Sequence, residues 1–305
     1  MDTSRVARGG AVDIAALVLA WGSTFAAVKV GLDSAPPLLY AGLRVAITAA
    51  LLCLVARRAG GPADLRRHWR FYGSAALLSV ALFYGLQTVS IERLPSGLAS
   101  VLIYFQPVLV GLLAWRVLGE PLTRTKAAGL LLGFAGIAVV SAHAVSGNLS
   151  LVGTACALGT ALAWALGTIQ LKHVQGRIDP WWAIAVPFSI GGGLLVLVGL
   201  VAEGPHVDWS GRFVAALAYA ALVGTTLAWV LWQRLLLSGD ATRAAAYVFF
   251  VPITALVIGV VFLGEDLGLA LVVGAVLVVV GVRLVNRPER SRWRRGSEPV
   301  DTRTP

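Results

Sequence analysis

"RVLGEP" (116–121) and "VFLGED" (261–266) each end a long apolar run. Glu120 and Glu265 stand 145 positions apart (265 − 120), and each follows a proline by thirteen residues, Pro107 and Pro252. Other residues repeat at nearly the same shift. Trp21 and Lys29 are eight apart, as are Trp164 and Lys172, at a shift of 143 that Pro37 and Pro180 share. Gly129 and Gly136 match Gly274 and Gly281 at 145. A single match is expected by chance in apolar, Gly-rich sequence, whereas a collinear series marks an internal repeat.

The solvent around these runs follows from composition. Of 305 residues, 58% are hydrophobic and 13% charged, and the mean hydropathy is +0.81. A soluble domain keeps about a quarter of its residues charged. Here charges gather in short clusters between runs of ~20 apolar residues, the length a bilayer requires of a helix. The runs fall at 12–31, 36–56, 71–90, 95–117, 124–142, 151–172, 180–201, 212–235, 241–263 and 268–286. A membrane barrel would need alternating segments of ~10 residues, and "LALVVGAVLVVVG" (269–281) does not alternate. The sequence therefore predicts an all-α integral membrane protein with ten transmembrane helices. Arg5 and Arg8 before the first run also suit a signal peptide, but nine further spans favour an uncleaved helix. Cys53 and Cys156 fall inside spans and suggest no disulfide framework.

The net charge of +10 does not indicate nucleic acid, because its distribution fits membrane topology. With the N-terminus inside, 21 of the 25 basic residues lie in inner segments. Three, Lys29, Arg93 and Arg212, lie outside, and Arg44 lies within a span. The positive-inside rule puts both termini in the cytoplasm of a cell-membrane protein. The halves are then 1–145 and 146–288, followed by a basic tail, 289–305, read as a disordered segment against the lipid surface. A unit of five spans delivers its successor to the opposite face, so the second half is expected inverted. The charges agree: the loop after span two carries five arginines, its counterpart "EGPHVDWSGR" (203–212) one. Inverted repeats of this kind hold substrate between the halves near the midplane.

"AWGSTFAAVKVGL" (20–32), "APPLLYAGLRVAITA" (35–49) with its intramembrane arginine, and the two Pro-x12-Glu helices resemble the drug/metabolite transporter superfamily, EamA type. The resemblance spans both halves. It implies helices 1–4 and 6–9 around a central cavity, helices 5 and 10 at the periphery, and export of small metabolites ranging over amino acids, nucleobases, sugars and drugs.

Candidate cavity residues are polar or aromatic groups at mid-span depth: Trp21, Arg44, Tyr84, Gln87, Tyr104, Gln106, Trp164, Trp229, Gln233, Tyr247 and Phe249. Tyr and Trp normally collect at membrane interfaces, so aromatic residues and amides at depth suit the wall of a cavity. Arg44 is either a functional cation or a structural one capping freed carbonyls. Pro107 and Pro252 each remove a helix hydrogen bond, giving a filled kink or a hinge. The glutamates of the L-G-E segments either serve the helix that follows or form alternating gate contacts, Lys172 with Glu120 inside and Lys29 with Glu265 outside. "GLLLG" (129–133) and the ladder Ala155, Gly159, Ala163 and Gly167 pack helices closely; contacts within one chain account for them, with a dimer as the alternative.

A membrane enzyme needs paired catalytic groups at one depth. The histidines His68, His143, His173 and His206 all sit at span ends or in loops, and no H-E-x-x-H occurs. A sensor would need an output domain, for which no soluble segment is present. The expected function is a secondary carrier with a small-molecule substrate, embedded in the bilayer, with no cofactor and no catalytic or metal residues; a polytopic enzyme or sensor is the alternative.

Overall fold

The computed structural model describes residues 3–59, 61, 63–94, 96–141, 150–254 and 269–287. Secondary structure among them is helical, apart from an isolated bridge between Gln175 and Ile178. Seven helices are long and apolar enough to cross a membrane. They include α1 (Thr3–Leu32) and α2 (Pro37–Ala59), then α3 (Trp69–Arg93) and α4, which starts at Ser96 and ends at Leu118. The others are α6 (Leu151–His173), α7 (Trp182–Ala202) and α8 (Gly211–Ser238). Three further helices follow the same chain order: α5 (Arg124–Ser141), α9 (Ala241–Thr254) and α10 (Leu269–Val285). This is a multi-pass membrane protein.

Short polar residues start the helices where the apolar runs begin. Ser150 Oγ accepts from Gly153 N at 3.1 Å, Ser210 Oγ from Phe213 N at 3.2 Å and Thr123 Oγ1 from Lys126 N at 3.2 Å. Each satisfies an N–H that no helix carbonyl reaches. Asp179 serves two helices at once: it caps α7 through Trp181 N and Trp182 N, and accepts from Gly61 N at 2.8 Å beyond the end of α2. At the other end of the same pair, Glu203 takes Leu38 N and Leu39 N at 2.9–3.1 Å. A carboxylate is favoured there by the α2 dipole.

Between these pins α2 and α7 run antiparallel with backbones in contact. A Cβ added at Gly42 would stand 2.6 Å from Val196 N, and one at Gly199 2.6 Å from Leu39 N. Helices α5 and α10 are joined likewise: a Cβ on Gly129 would meet Gly281 O, and one on Gly136 would meet Gly274 O, both at 2.7 Å. Without a hydrophobic drive between helices in lipid, close backbone packing of this kind holds them together. The GLLLG segment is thus spent within the chain, since Gly133 also abuts Phe249.

Several helices are locally irregular. Residues Ala76–Leu82 of α3, Ala114–Leu118 of α4 and Leu222–Leu227 of α8 are π-helical. In α8 the sequence supports this, because Thr225 and Thr226 donate to carbonyls five residues back, each at 2.8 Å. Ahead of the prolines, α4 breaks at Tyr104–Phe105 and resumes at Gln106 with Pro107 in its first turn. Similarly α9 tightens to a 3₁₀ turn over Tyr247–Phe249 before Pro252. Such turns tolerate the missing N–H.

Candidate functional site

A narrow cavity of about 30 Å³ lies among α1, α2, α3, α4, α6 and α8, well below the volume of an open small-molecule site. Its wall contains six of the residues read from the sequence: Trp21, Arg44, Tyr84, Gln87, Tyr104 and Trp164. Thr24, Phe25, Val28, Phe83, Ile91 and Gly224 complete it. Val28 and Ile91 lie about one turn from the ends of α1 and α3, so the cavity runs toward the bundle end that carries Leu32 and Arg93. No group of three or more His, Cys, Asp or Glu that could hold a metal comes together among the described residues.

The floor is aromatic. Trp21 meets Trp164 edge-on at 5.2 Å between ring centroids, and both contact Trp232, at 5.7 and 6.1 Å. Phe83 stands 5.4 Å and Tyr104 6.1 Å from Trp164. Below Phe83, Tyr84 and Trp229 join directly, Trp229 Nε1 donating to Tyr84 Oη at 2.6 Å. The guanidinium of Arg44 lies over the Tyr84 ring at 4.7 Å, and its Nη2 donates to Gln87 Oε1 at 3.2 Å. Arg44 is 2% exposed and its Nε has no partner.

The other candidates do not reach the wall. Gln106 is buried, its amide donating to Thr168 Oγ1 at 3.4 Å, and Gln233 donates to Pro180 O at 3.2 Å. Trp229 sits behind Tyr84, Phe249 is fully buried, and Tyr247 is half-buried in packing on α9. Sequence reading had missed Phe25, Phe83 and Trp232. Phe83 adjoins Tyr84, and both directly follow the π turn of α3, which rotates this part of the helix relative to the residues before it. Trp232 had a signal in the repeat, since it is the counterpart of Gln87 at the shift of 145 (232 − 87).

The EamA-like transporter family model matches residues 9–142 and again 151–287. The chain belongs to this family. Among its relatives are an uncharacterized transporter, YvbV, of Bacillus subtilis, 38% identical over 280 residues that cover 92% of each chain. A probable amino-acid metabolite efflux pump of Salmonella typhimurium is 30% identical over 283 residues, 87% of this chain and 91% of the relative. Its namesake in Escherichia coli is 28% identical over 280 residues, 87% and 91% of the two chains. A solved crystal structure superposes with a TM-score of 0.77 over 92% of this chain and 96% of its own, at 19% identity, a likeness of fold. The protein is a membrane transporter and not an enzyme.

In this transporter the bundle end opposite the cavity is held by charged groups on helix termini. Gly119, in the left-handed region at φ +69°, ends α4, as glycine does at a helix C-terminus. The turn directs Glu120 away from α5 and onto the start of α9. Its carboxylate accepts from Ala241 N at 2.7 Å, Thr242 N at 3.1 Å and Thr242 Oγ1 at 2.7 Å. The expectation that Glu120 serves the following helix is thus replaced by a cap on a helix of the other half. Lys172 forms no ion pair with it. Instead Lys172 Nζ donates to Leu236 O at 2.8 Å and Gly239 O at 2.5 Å, ending α8, where the dipole favours a cation. Gln175 adds a bond to Leu237 O at 3.2 Å. At the cavity end, Lys29 is exposed; Glu265 lies outside the described residues.

Proposed function

We propose that the protein is a secondary carrier that exports a small amphiphilic or amino acid-like metabolite by alternating access. In this reading ten spans form two inverted five-helix repeats, 1–145 and 146–288, with both termini and the basic tail on the cytoplasmic side of the cell membrane. The observation that carries it is the meeting of repeat counterparts with each other on the cavity floor. Tyr84 and Trp229 are 145 positions apart and share a hydrogen bond. Trp21 and Trp164, 143 apart (164 − 21), stack edge-on. Only a residue beside a two-fold axis can touch its own counterpart, so the axis of such a pair of halves would pass through the floor.

Contacts away from that line come in reciprocal pairs, as a two-fold interface requires. A Cβ on Gly224 would run into Thr24 Oγ1, and one on Gly167 into Ser79 Oγ. Gly167 is the counterpart of Thr24 and Ser79 that of Gly224, so both contacts set a hydroxyl on a glycine. Gly129 with Gly281, and Gly136 with Gly274, form the same kind of exchange. The π turns of α3 and α8 start 146 positions apart (222 − 76). Two halves with interchangeable contacts give the bistable packing that alternating access needs.

With the charge bias setting the topology, the cavity opens outward and the layer of Lys172, Gln175 and Glu120 closes the cytoplasmic end. Exchange of the halves gives the opposite state. The counterparts of Leu236 and Gly239 are Ile91 and Leu94, so Lys29 is assigned their carbonyls when the outer end closes; Glu265 keeps its role as the counterpart of Glu120. Pro107 and Pro252 serve as hinges beneath the floor. The efflux-pump names of the relatives favour amino acid-like cargo. The test is a metabolite screen by thermal shift, followed by counterflow of the hits in liposomes holding the purified protein. Saturable uptake stimulated by internal substrate supports the carrier; uptake indifferent to internal substrate for every hit refutes it.

A further inference from the structure

Arg44 is a charged group without a counter-charge. It is 2% exposed, lines the cavity, and makes one polar contact, to the neutral amide oxygen of Gln87 at 3.2 Å. Its Nε is buried and unpartnered. Among the described residues no carboxylate pairs with it, and no other lysine or arginine lines the cavity. The counterpart of Arg44 in the second half is Pro187 (187 − 44 = 143), so the charge sits on one side of the floor only. A guanidinium offers five donors in a planar fork that fits a carboxylate edge-on. Kept from water without an anion, it is among the costliest groups a membrane interior can hold. The Tyr84 ring offsets part of that cost through its π face, but it supplies no negative charge.

Resting on the reading of this cavity as the substrate site, we infer that the substrate carries a carboxylate which pairs with Arg44, on an apolar body seated among Trp21, Phe83, Tyr104 and Trp164. A phosphate fits less well: its second charge would find no second cation in the wall. A substrate ammonium has aromatic faces to meet but no acid. The selective group is therefore the carboxylate, and the aromatic rings accept the rest by shape and contact area.

Three probes of one shape test this on the full-length protein in detergent: 3-phenylpropionate, its neutral amide and 3-phenylpropylamine. Binding is read from tryptophan fluorescence, since Trp21 and Trp164 line the site. The acid is expected to bind at least tenfold more tightly than the amide, and the amine most weakly. Arg44→Gln should cost the acid at least tenfold while leaving the amide unchanged, and Arg44→Lys should fall between, keeping charge without the fork. Unchanged amide affinity and melting temperature show that the variant is folded; if it does not fold, the order of the three probes on the natural protein decides. No binding of the acid, an amide or amine that binds as well, or a preference that survives Arg44→Gln would overturn the inference. Counterflow of an amine or neutral solute with the acid ignored would overturn it while leaving the carrier reading intact. Acid-selective binding with no counterflow of any solute would do the reverse.

Discussion

Moving the hydroxyl of Ser79 across to Gly167 exposes how tightly the two halves are fitted. A side chain on Gly167 would occupy the place of Ser79 Oγ, with Ser79 Cβ only 2.9 Å away, and Ser79 is buried. Gly167→Ser alone is overpacked, at a cost of about 1–3 kcal/mol. Leaving glycine in a helix returns roughly 0.5 kcal/mol of backbone preference. The net loss is about 0.5–2.5 kcal/mol, which in a chain of this size lowers the melting temperature by about 1–4 °C. Ser79→Gly removes the obstruction, and the doubly changed chain reproduces the arrangement already present at Thr24 and Gly224, hydroxyl on one side and glycine on the other. Thermal unfolding of the four proteins in detergent gives the coupling energy, expected at about 1 kcal/mol or more in favour of the pair. Additive effects, or a Gly167→Ser protein that melts like the parent, would refute the reciprocal packing.

In the cavity, Trp164→Ala, Tyr104→Ala and Gln87→Ala are each expected to lower transport several-fold with smaller changes in expression, since aromatic contacts contribute ~1 kcal/mol each; counterflow normalised to protein amount checks this, and normal transport by all three removes the cavity assignment. Glu120→Ala deletes a three-bond cap on α9 and should cost about 1–3 kcal/mol, seen as a lower melting temperature; Glu120→Gln, which keeps an acceptor, should recover part of it. A cysteine at Ser146, outside the described residues, should react with an impermeant thiol reagent added outside intact cells, and labelling only from the cytoplasm would reverse the topology.

The apolar runs place the seven long helices within a few residues, because length and hydropathy alone define a spanning segment. Among the described residues the chain continues as helix beyond several of those runs, as at Ser238 of α8, where a backbone without water partners keeps its internal bonds. Trp21, Arg44, Tyr84, Gln87, Tyr104 and Trp164 were legible as cavity residues because polar and aromatic groups at that depth have no other good place. Gln106, Gln233 and Trp229 carry the same signal yet bond to Thr168, Pro180 and Tyr84 on neighbouring segments, a distinction that depends on rotation about each helix axis. The π turns set that rotation locally, and their sequence mark is faint: two threonines in α8, and none in "ALLSVAL" of α3. The partners of Glu120, Asp179 and Glu203 were not readable either. Each caps or pins a helix distant in sequence, and only the assembled bundle brings that terminus to the carboxylate.

The exchange of two related ends is tested most directly by distance measurements between spin labels at Arg116 and Arg177, both exposed at the end that Lys172 holds, in a chain whose Cys53 and Cys156 are replaced by serine. Lys172→Met removes two bonds to the end of α8, about 1 kcal/mol each for a half-exposed lysine, which shifts the population of the open end by roughly 30-fold. A longer distance component is expected in liposomes with Lys172→Met, and its loss when Lys29→Met is added, on the proposal that Lys29 holds the outer end closed in the opposite state. An unchanged distance with Lys172→Met, or a second substitution that opens the same end further, would contradict it.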